Sequence, residues 1–430
     1  MESSESMVSE QPETQGTVEI ESCEYELFIK SGNLYAQLRN VKSDETSLII
    51  PATVEKDGSE YPVQGIAPRA LRQSHVESLS FAPDSQVKSL KKDALYCHTL
   101  KKVALPASLE ALEVGWCNFT LKLVELTIED NSHFVTQDNA LYDSDKTVLY
   151  HVARNIKEFT VPASVEKIGS YAFEQCRRLR TLTFEDNSQL KSIEQWAFSH
   201  CGLKQIHFPD SLESIGYDAF FHTPRLEEIS FGDDSVLKNV LIGAFKDTSL
   251  SDVTLPPTTV KIGIAAFQNC PKLEKVTLLN PGTVTIWRDA FTGTTDDFKL
   301  VVCENTRLKG AGVPSNVERG SGTSIQEIAQ NAIEGLVGNE EAEPAAQNEE
   351  AEPAAQNEEA PAEQNEEAPA ENPPEEDHPA EEAVNGLVGN LLGDAAPADD
   401  EAVQEEHQSE VSENEEKDKL EETKEGGEEQ

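Results

Sequence analysis

Nowhere in the 430 residues is there an apolar run of eighteen, so no bilayer-spanning helix is expected. The opening "MESSESMVSEQPETQG" has neither a basic leader nor an apolar run, which argues against a secretory signal and predicts a soluble, cytoplasmic protein. Marks of chemistry are missing too: there is no glycine-rich phosphate loop, His-Glu-x-x-His, Cys-x-x-Cys or Gly-x-Ser-x-Gly. Neither an enzyme nor a cofactor is expected. Seven cysteines, an odd number scattered along the chain, do not suit a disulfide framework, and reduced thiols are expected.

Aromatic side chains and positive charge run out near residue 320. From Ser321 to the end there are 35 Asp or Glu against 3 Lys, a net charge of −32, with no Phe, Tyr or Trp. The stretch "NEEAEPAAQ" starts at Asn339 and again at Asn348 and then decays, which is low-complexity sequence unable to offset its ordering entropy. Residues 321–430 are therefore expected to be a disordered acidic tail. The first 320 residues hold 45 acidic and 32 basic residues and every aromatic, enough to build a core.

What is abundant there is repetition. Leu-x-x-Leu-x-Phe recurs as "LRTLTF" from Leu179, "LKQIHF" from Leu203, "LEEISF" from Leu226, "LSDVTL" from Leu250 and "LEKVTL" from Leu273, with earlier starts at Val76, Leu100, Leu123 and Ile156. Successive starts lie 24, 23, 33, 23, 24, 23, 24 and 23 residues apart, the period of a solenoid of stacked coils. The last four residues of each motif read as a strand with Leu182 and Phe184 inward and Thr181 and Thr183 outward, because strand side chains alternate. Pro106, Pro162, Pro209 and Pro256 stop the strands, since proline lacks the amide a ladder needs. On the opposite wall, "EKIGSYAFEQC" and its copies supply Ile168 and Phe173 as interior fillers, Gly169 and Ala172 for close approach, and Cys176, Cys201 and Cys270 at one recurring position. That wall is expected to be a short helical turn.

The fold class expected is thus an α/β repeat: a leucine-rich-repeat solenoid with short strands on one face and short helical turns opposite, followed by the disordered tail. Residues 1–19 are expected to be disordered and 20–75 to form an N-terminal cap and first coil around "YELFIKSGNLYAQL". The solenoid proper is expected over 76–315, with "NALYDSDKTVLYHV" a hairpin insertion near 139–152 that accounts for the single spacing of 33.

These motifs, together with Pro-x-Ser-Leu-x-x-Ile-Gly-x-x-Ala-Phe-x-x-Cys and "EYPVQGIAPRAL" at 60–71, resemble the leucine-rich repeats of the BspA-like (Bacteroides surface protein A-like) family over roughly residues 20–315. The resemblance implies a non-enzymatic protein-binding scaffold, adhesion to host or neighbouring-cell surface proteins, and a cell-surface location. No nucleic-acid partner and no membrane insertion are expected.

The ligand-binding residues expected on the exposed strand face are Lys101, Lys102, Lys157, Arg180, Lys204, His207, Glu228, Asp252 and Lys275. Lysine and arginine dominate the earlier coils, and Glu227, Glu228, Asp252 and Glu274 the later ones, which reads as a bipolar face whose basic end, with Arg177 and Arg178, docks an acidic partner such as the chain's own tail. A mixed solvated surface is the alternative. A second outward column, Ser80, Thr127, Thr160, Thr183, Ser230, Thr254 and Thr277, reads either as a hydrogen-bonding ladder or as plain strand preference. Cys176, His200, Cys201 and His222 form a zinc-like set, weighed against buried thiols beside exposed histidines, and the thiol reading is preferred, so no metal is expected. "NFT" at Asn118–Thr120 matches a glycosylation acceptor, with no glycosylation expected in a chain read as cytoplasmic. The repeated "GLVGN" at 335–339 and 386–390 is either a docking motif or a remnant of duplication.

A different class also fits. In layout, leucine-rich repeats followed by an acidic tract are similar to the acidic nuclear phosphoproteins, which implies an intracellular chaperone or adaptor for basic proteins such as histones.

Overall fold

The computed structural model describes residues 11–42 and 44–320. The expected tail, 321–430, lies outside the described residues.

Two parallel ladders run along the stacked coils. The first holds the four-residue strands, among them Lys102–Leu105, Glu125–Ile128, Glu158–Val161, Thr181–Phe184, Gln205–Phe208 and Glu228–Phe231. In Thr181–Phe184, Leu182 is buried while Thr181 and Thr183 are exposed, the alternation a pleated strand imposes. The second holds shorter strands such as Lys167–Ile168, Ser192–Ile193, Ser214–Ile215, Asn239–Val240 and Lys261–Ile262, paired in register within a ten-stranded sheet. Gly216 comes directly after one of these strands, and a Cβ there would stand 2.6 Å from the Ile193 carbonyl oxygen, so the close approach demands glycine.

The third wall corrects the expected fold class. Helical turns are expected there, but no helix occurs among the described residues, and the architecture is a β-solenoid rather than an α/β repeat. The reason lies in the backbone. Tyr171 and Gln175 have φ of 63° and 57°, and the same left-handed pair returns at Trp196 and His200, at Asp218 and His222, and at Ala265 and Asn269. A helix needs consecutive right-handed residues and bonds four apart. Here alternate amides leave the coil instead: Tyr171 donates to Gln195 O (3.2 Å), Phe173 to Ala197 O (2.7 Å) and Gln175 to Ser199 O (2.9 Å). The intervening amides close tight turns, as in Glu174 N to Tyr171 O at 3.1 Å. The wall spends its donors on joining coils.

The interior is a column of phenylalanines. Phe173, Phe198, Phe220, Phe245, Phe267 and Phe291 stack with centroids 4.6, 4.9, 5.2, 5.4 and 5.8 Å apart and planes within 13°. The spacing tracks the coil repeat, since adjacent strands sit about 4.8 Å apart. Each buried ring contributes about 1.5–3 kcal/mol by leaving water, and each pair adds about 0.5–1.5 kcal/mol.

At the N-terminal end a mixed sheet closes the stack, antiparallel except where Asn33–Val41 pairs in parallel with Ser59–Ile66. Its order is Glu13–Ile20, Cys23–Lys30, Asn33–Val41, Ser59–Ile66, Thr53–Lys56. The first of these strands lies largely within residues 1–19, a stretch expected to be disordered; Val18 and Ile20 pack against the N-terminal core and hold it there. Ser31 and Gly32, both with positive φ, make the turn between the second and third strands. Val41 N then reaches Ala70 O at 3.0 Å. In the middle, Phe134–Gln137, Ala140–Asp143 and Val148–Val152 form an antiparallel meander, and Val148–Val152 passes into the second ladder by pairing with Lys167–Ile168.

The coils alternate in pairs. Five residues separate Phe184 from Leu190 and Phe231 from Leu237, but three separate Phe208 from Leu212 and Val161 from Val165. Charges on the second ladder alternate with them: Lys191 pairs with Glu166 at 2.7 Å and Lys238 with Glu213 at 2.6 Å.

Candidate binding face

The outward side of the first ladder carries the residues expected to bind. Lys102, Glu228, Asp252 and Lys275 begin strands, and His207 is the third residue of its own. Lys101, Lys157 and Lys204 stand one residue ahead of a strand, as does Arg180. The structure does not leave these charges as two opposed fields. Lys101 Nζ lies 2.7 Å from Glu77, Lys102 2.6 Å from Glu125, Lys204 3.2 Å from Glu227 and Lys275 3.4 Å from Asp252. Each pair joins neighbouring coils, and hydrogen bonding to Lys204 holds the Glu227 carboxyl below its usual range. Arg180 is committed as well, its guanidinium donating to Arg177 O at 2.7 Å and Gly202 O at 3.0 Å. Lys157 and Glu228 are exposed and carry no ion pair among the described residues.

The hydroxyl column holds in part. Thr160 and Thr183 hydroxyls lie 2.9 Å apart, and His207 Nδ1 lies 3.0 Å from Ser230 Oγ. Thr277 has left the surface and is buried.

A groove opens where the ladder breaks. Glu158–Val161 pairs fully with Thr181–Phe184, and Gln205–Phe208 with Glu228–Phe231, but these two pairs form separate sheets. The step from Phe184 to the next coil comes after a five-residue connection, whereas the paired steps come after three-residue ones. The cavity there measures about 440 Å³ and is lined by Thr183, Glu185, Asn187, His207 and Asp210, with Leu182 and Phe184 also on its wall. Of these only His207 stands among the expected binding residues. The alternation of connection length is the signal in the sequence that points to the others.

A second polar group lies beneath the meander and is closed to ligands. Cys117 Sγ sits 3.6 Å from His151 Nδ1, and Arg154 donates to the Tyr171 and Ala172 carbonyls at 3.4 Å. Burial pushes the Glu174 carboxyl up to about 7 despite the nearby Arg154, and the Cys117 thiol up to about 12. Burial and Arg154 together hold His151 well below its usual value, so its ring is neutral. His151 is fully buried, and no substrate reaches it.

The thiols and histidines of the zinc-like set stay apart. Cys176 and Cys201 face the interior, with Cys201 Sγ 3.5 Å from Cys176 O. The His200 and His222 rings are 4.9 Å apart, and His222 is exposed. Among the described residues no three His, Cys, Asp or Glu side chains are placed to hold a metal ion. Asn118 is buried with its amide donating to Asp93 at 3.0 Å, so the glycosylation acceptor is closed. No helix among the described residues is long and apolar enough to cross a membrane.

Residues 59–148, 145–274 and 238–308 match the BspA type leucine rich repeat region, in six copies. The chain belongs to the BspA-type leucine-rich repeat family. Among solved structures, this BspA-type chain is similar to a leucine rich cell surface protein from Faecalibacterium prausnitzii, at 19% identity over 73% of this chain and 97% of that one, with a TM-score of 0.40. It is similar to the pneumococcal vaccine antigen PcpA, at 16% identity over 71% and 99%, TM-score 0.36. It is also similar to a leucine-rich repeat protein from Eubacterium ventriosum, at 16% identity over 64% and 93%, TM-score 0.41. No curated protein matches this BspA-type sequence.

Proposed function

We propose that this BspA-type chain is a non-enzymatic scaffold that binds proteins through the outward face of its first ladder, in adhesion to host or neighbouring-cell surface proteins. The observation that carries the reading is the break in the ladder beside Thr183 and His207. There a polar groove interrupts a surface whose other charges are largely paired with each other. A groove with Thr183, Asn187, His207 and Asp210 on its walls offers donors and acceptors to a partner's polar loop, while Leu182 and Phe184 offer apolar contact.

The test is a photo-crosslinking residue placed at Thr183 in the full chain in its source cells, with the same residue at Lys261 on the second ladder as control. Adducts to one protein at Thr183 alone are expected, and adding His207→Glu should abolish them. Equal adducts at both positions, or none at Thr183, would sink the reading. Labelling of intact cells with a membrane-impermeant amine reagent, against a cytosolic marker, decides the location. Labelling without marker leakage fits adhesion.

The net charge of −32 beyond residue 320 favours a second reading, an intracellular adaptor for basic proteins. It requires binding that collapses as salt rises, whereas apolar contacts in the groove persist.

A further inference from the structure

The last turn of the solenoid is left unfinished. In the five turns before it, three alternate amides donate to the next coil, the last set being Ala265 N to Arg288 O (3.1 Å), Phe267 N to Ala290 O (2.8 Å) and Asn269 N to Thr292 O (2.8 Å). Asp289, Phe291 and Gly293 occupy the same positions in the final turn, and among the described residues no carbonyl lies beyond to accept from them. The final coil omits the turn wall altogether. From the strand Arg307–Lys309 the chain passes straight through Gly310–Asn316 to the strand Val317–Arg319.

What remains at this end is a groove of about 360 Å³, lined by Phe291, Phe298, Ala311, Val313, Pro314 and Asn316 among others. That is room for roughly two or three aliphatic side chains. Its needs are mixed: apolar contact for the floor, and acceptors for the amides of Asp289 and Phe291 that line it.

The chain supplies such a segment immediately. Gly320 N is tied to Val302 O at 2.9 Å, which fixes the end of the described chain four residues beyond Asn316. Four or five residues span at most about 13–18 Å. In "SIQEIAQNAIEGLV", 324–337, the apolar residues Ile325, Ile328, Ala332, Ile333, Leu336 and Val337 recur three and four apart, the spacing that gathers them on one helical face. Glu327 and Glu334 lie between them, and no basic residue does.

We infer that residues 324–337 dock in this groove and cap the C-terminal end of the solenoid, their apolar face on Phe291 and Val313 and their polar side chains toward the unpaired amides. Solenoid ends need such a cover because a terminal coil otherwise exposes core and unpaired edge. The cap assigns to this end the first "GLVGN", whose apolar pair Leu336 and Val337 closes the pattern.

The test uses the full chain. Val313→Cys with Ile328→Cys, mildly oxidised, should give a disulfide within one chain, identified by peptide mass; all seven native cysteines are buried. Ile328→Asp with Ile333→Asp should speed hydrogen exchange at Lys299–Val302 and Arg307–Lys309 by about tenfold or more, leaving Cys23–Lys30 unchanged. Unchanged exchange would overturn the proposal. So would a disulfide found only between chains, which would assign the groove to a second copy. If Val388→Asp alone produces the exchange effect, the groove belongs to the later "GLVGN" and the proposal is again overturned.

Discussion

The two ends of this solenoid are finished by different means. At the N-terminal end five strands, Glu13–Ile20 to Ser59–Ile66, cover the first coil and bury Tyr25, Leu27 and Leu38 beneath them. At the other end the described chain stops one strand after its last short coil, with three amides unanswered and Phe291 at the end of its column. Inside a stack every coil is at once donor to the next and floor for it, so the repeat says nothing about how to stop. Termination has to be written in sequence that is not repeat, and the N-terminal sheet is such sequence.

Removing the middle of the column should abolish the distinction. Phe220 is fully buried between Phe198 and Phe245, and Phe220→Ala should cost about 3–5 kcal/mol in a denaturant titration. Exchange should rise toward both ends, because each loses the coils that connect it to the other. Leu38→Ala, at a fully buried position of the N-terminal sheet, should cost about 2–4 kcal/mol and raise exchange at that end alone.

The buried polar group beneath the meander offers a gentler lever. Glu174 is buried with its carboxyl raised to about 7, so the folded chain holds this proton more tightly than the unfolded one. The associated stability is fully present below the unfolded value near 4.5 and is lost as pH climbs through about 7. Glu174→Gln should therefore stabilise the protein by about 2–3 kcal/mol at pH 8 and change little at pH 4, read from denaturation midpoints at the two values. Val313→Ala, at the half-buried C-terminal groove, should cost under about 1 kcal/mol. A cost as large as that of Leu38→Ala would mean the two ends are closed equally well.

Much of this architecture is legible in the sequence. The leucine spacing locates the coils, and the alternation in "TLTF" tells Leu182 from Thr183, because a strand has one period and one inward face. The helical turn fails at Tyr171 and Trp196, bulky residues whose left-handed backbone hydrophobic spacing does not announce. Their partners are more candid: His200, Asp247, Asn269 and Gly293 share one register, and such residues are enriched at positive φ. The binding face is harder to read. Sequence shows the sign of each charge, but whether Lys101 meets Glu77 depends on which coils become neighbours, and the groove beside His207 arises from a difference of two residues between connections.

That pairing of coils bears on how such a chain can change in length. Leu179 and Leu226 stand 47 residues apart, and over that interval both the connection length and the sign sequence Glu166, Lys191, Glu213, Lys238 return to their starting values. Loss of the Lys191 coil during recombination between repeats would bring Glu166 against Glu213 and put two three-residue connections side by side. Loss of two would leave every contact with an equivalent partner. The heritable unit of this solenoid is the pair, and viable lengthening or shortening should come in steps of two coils.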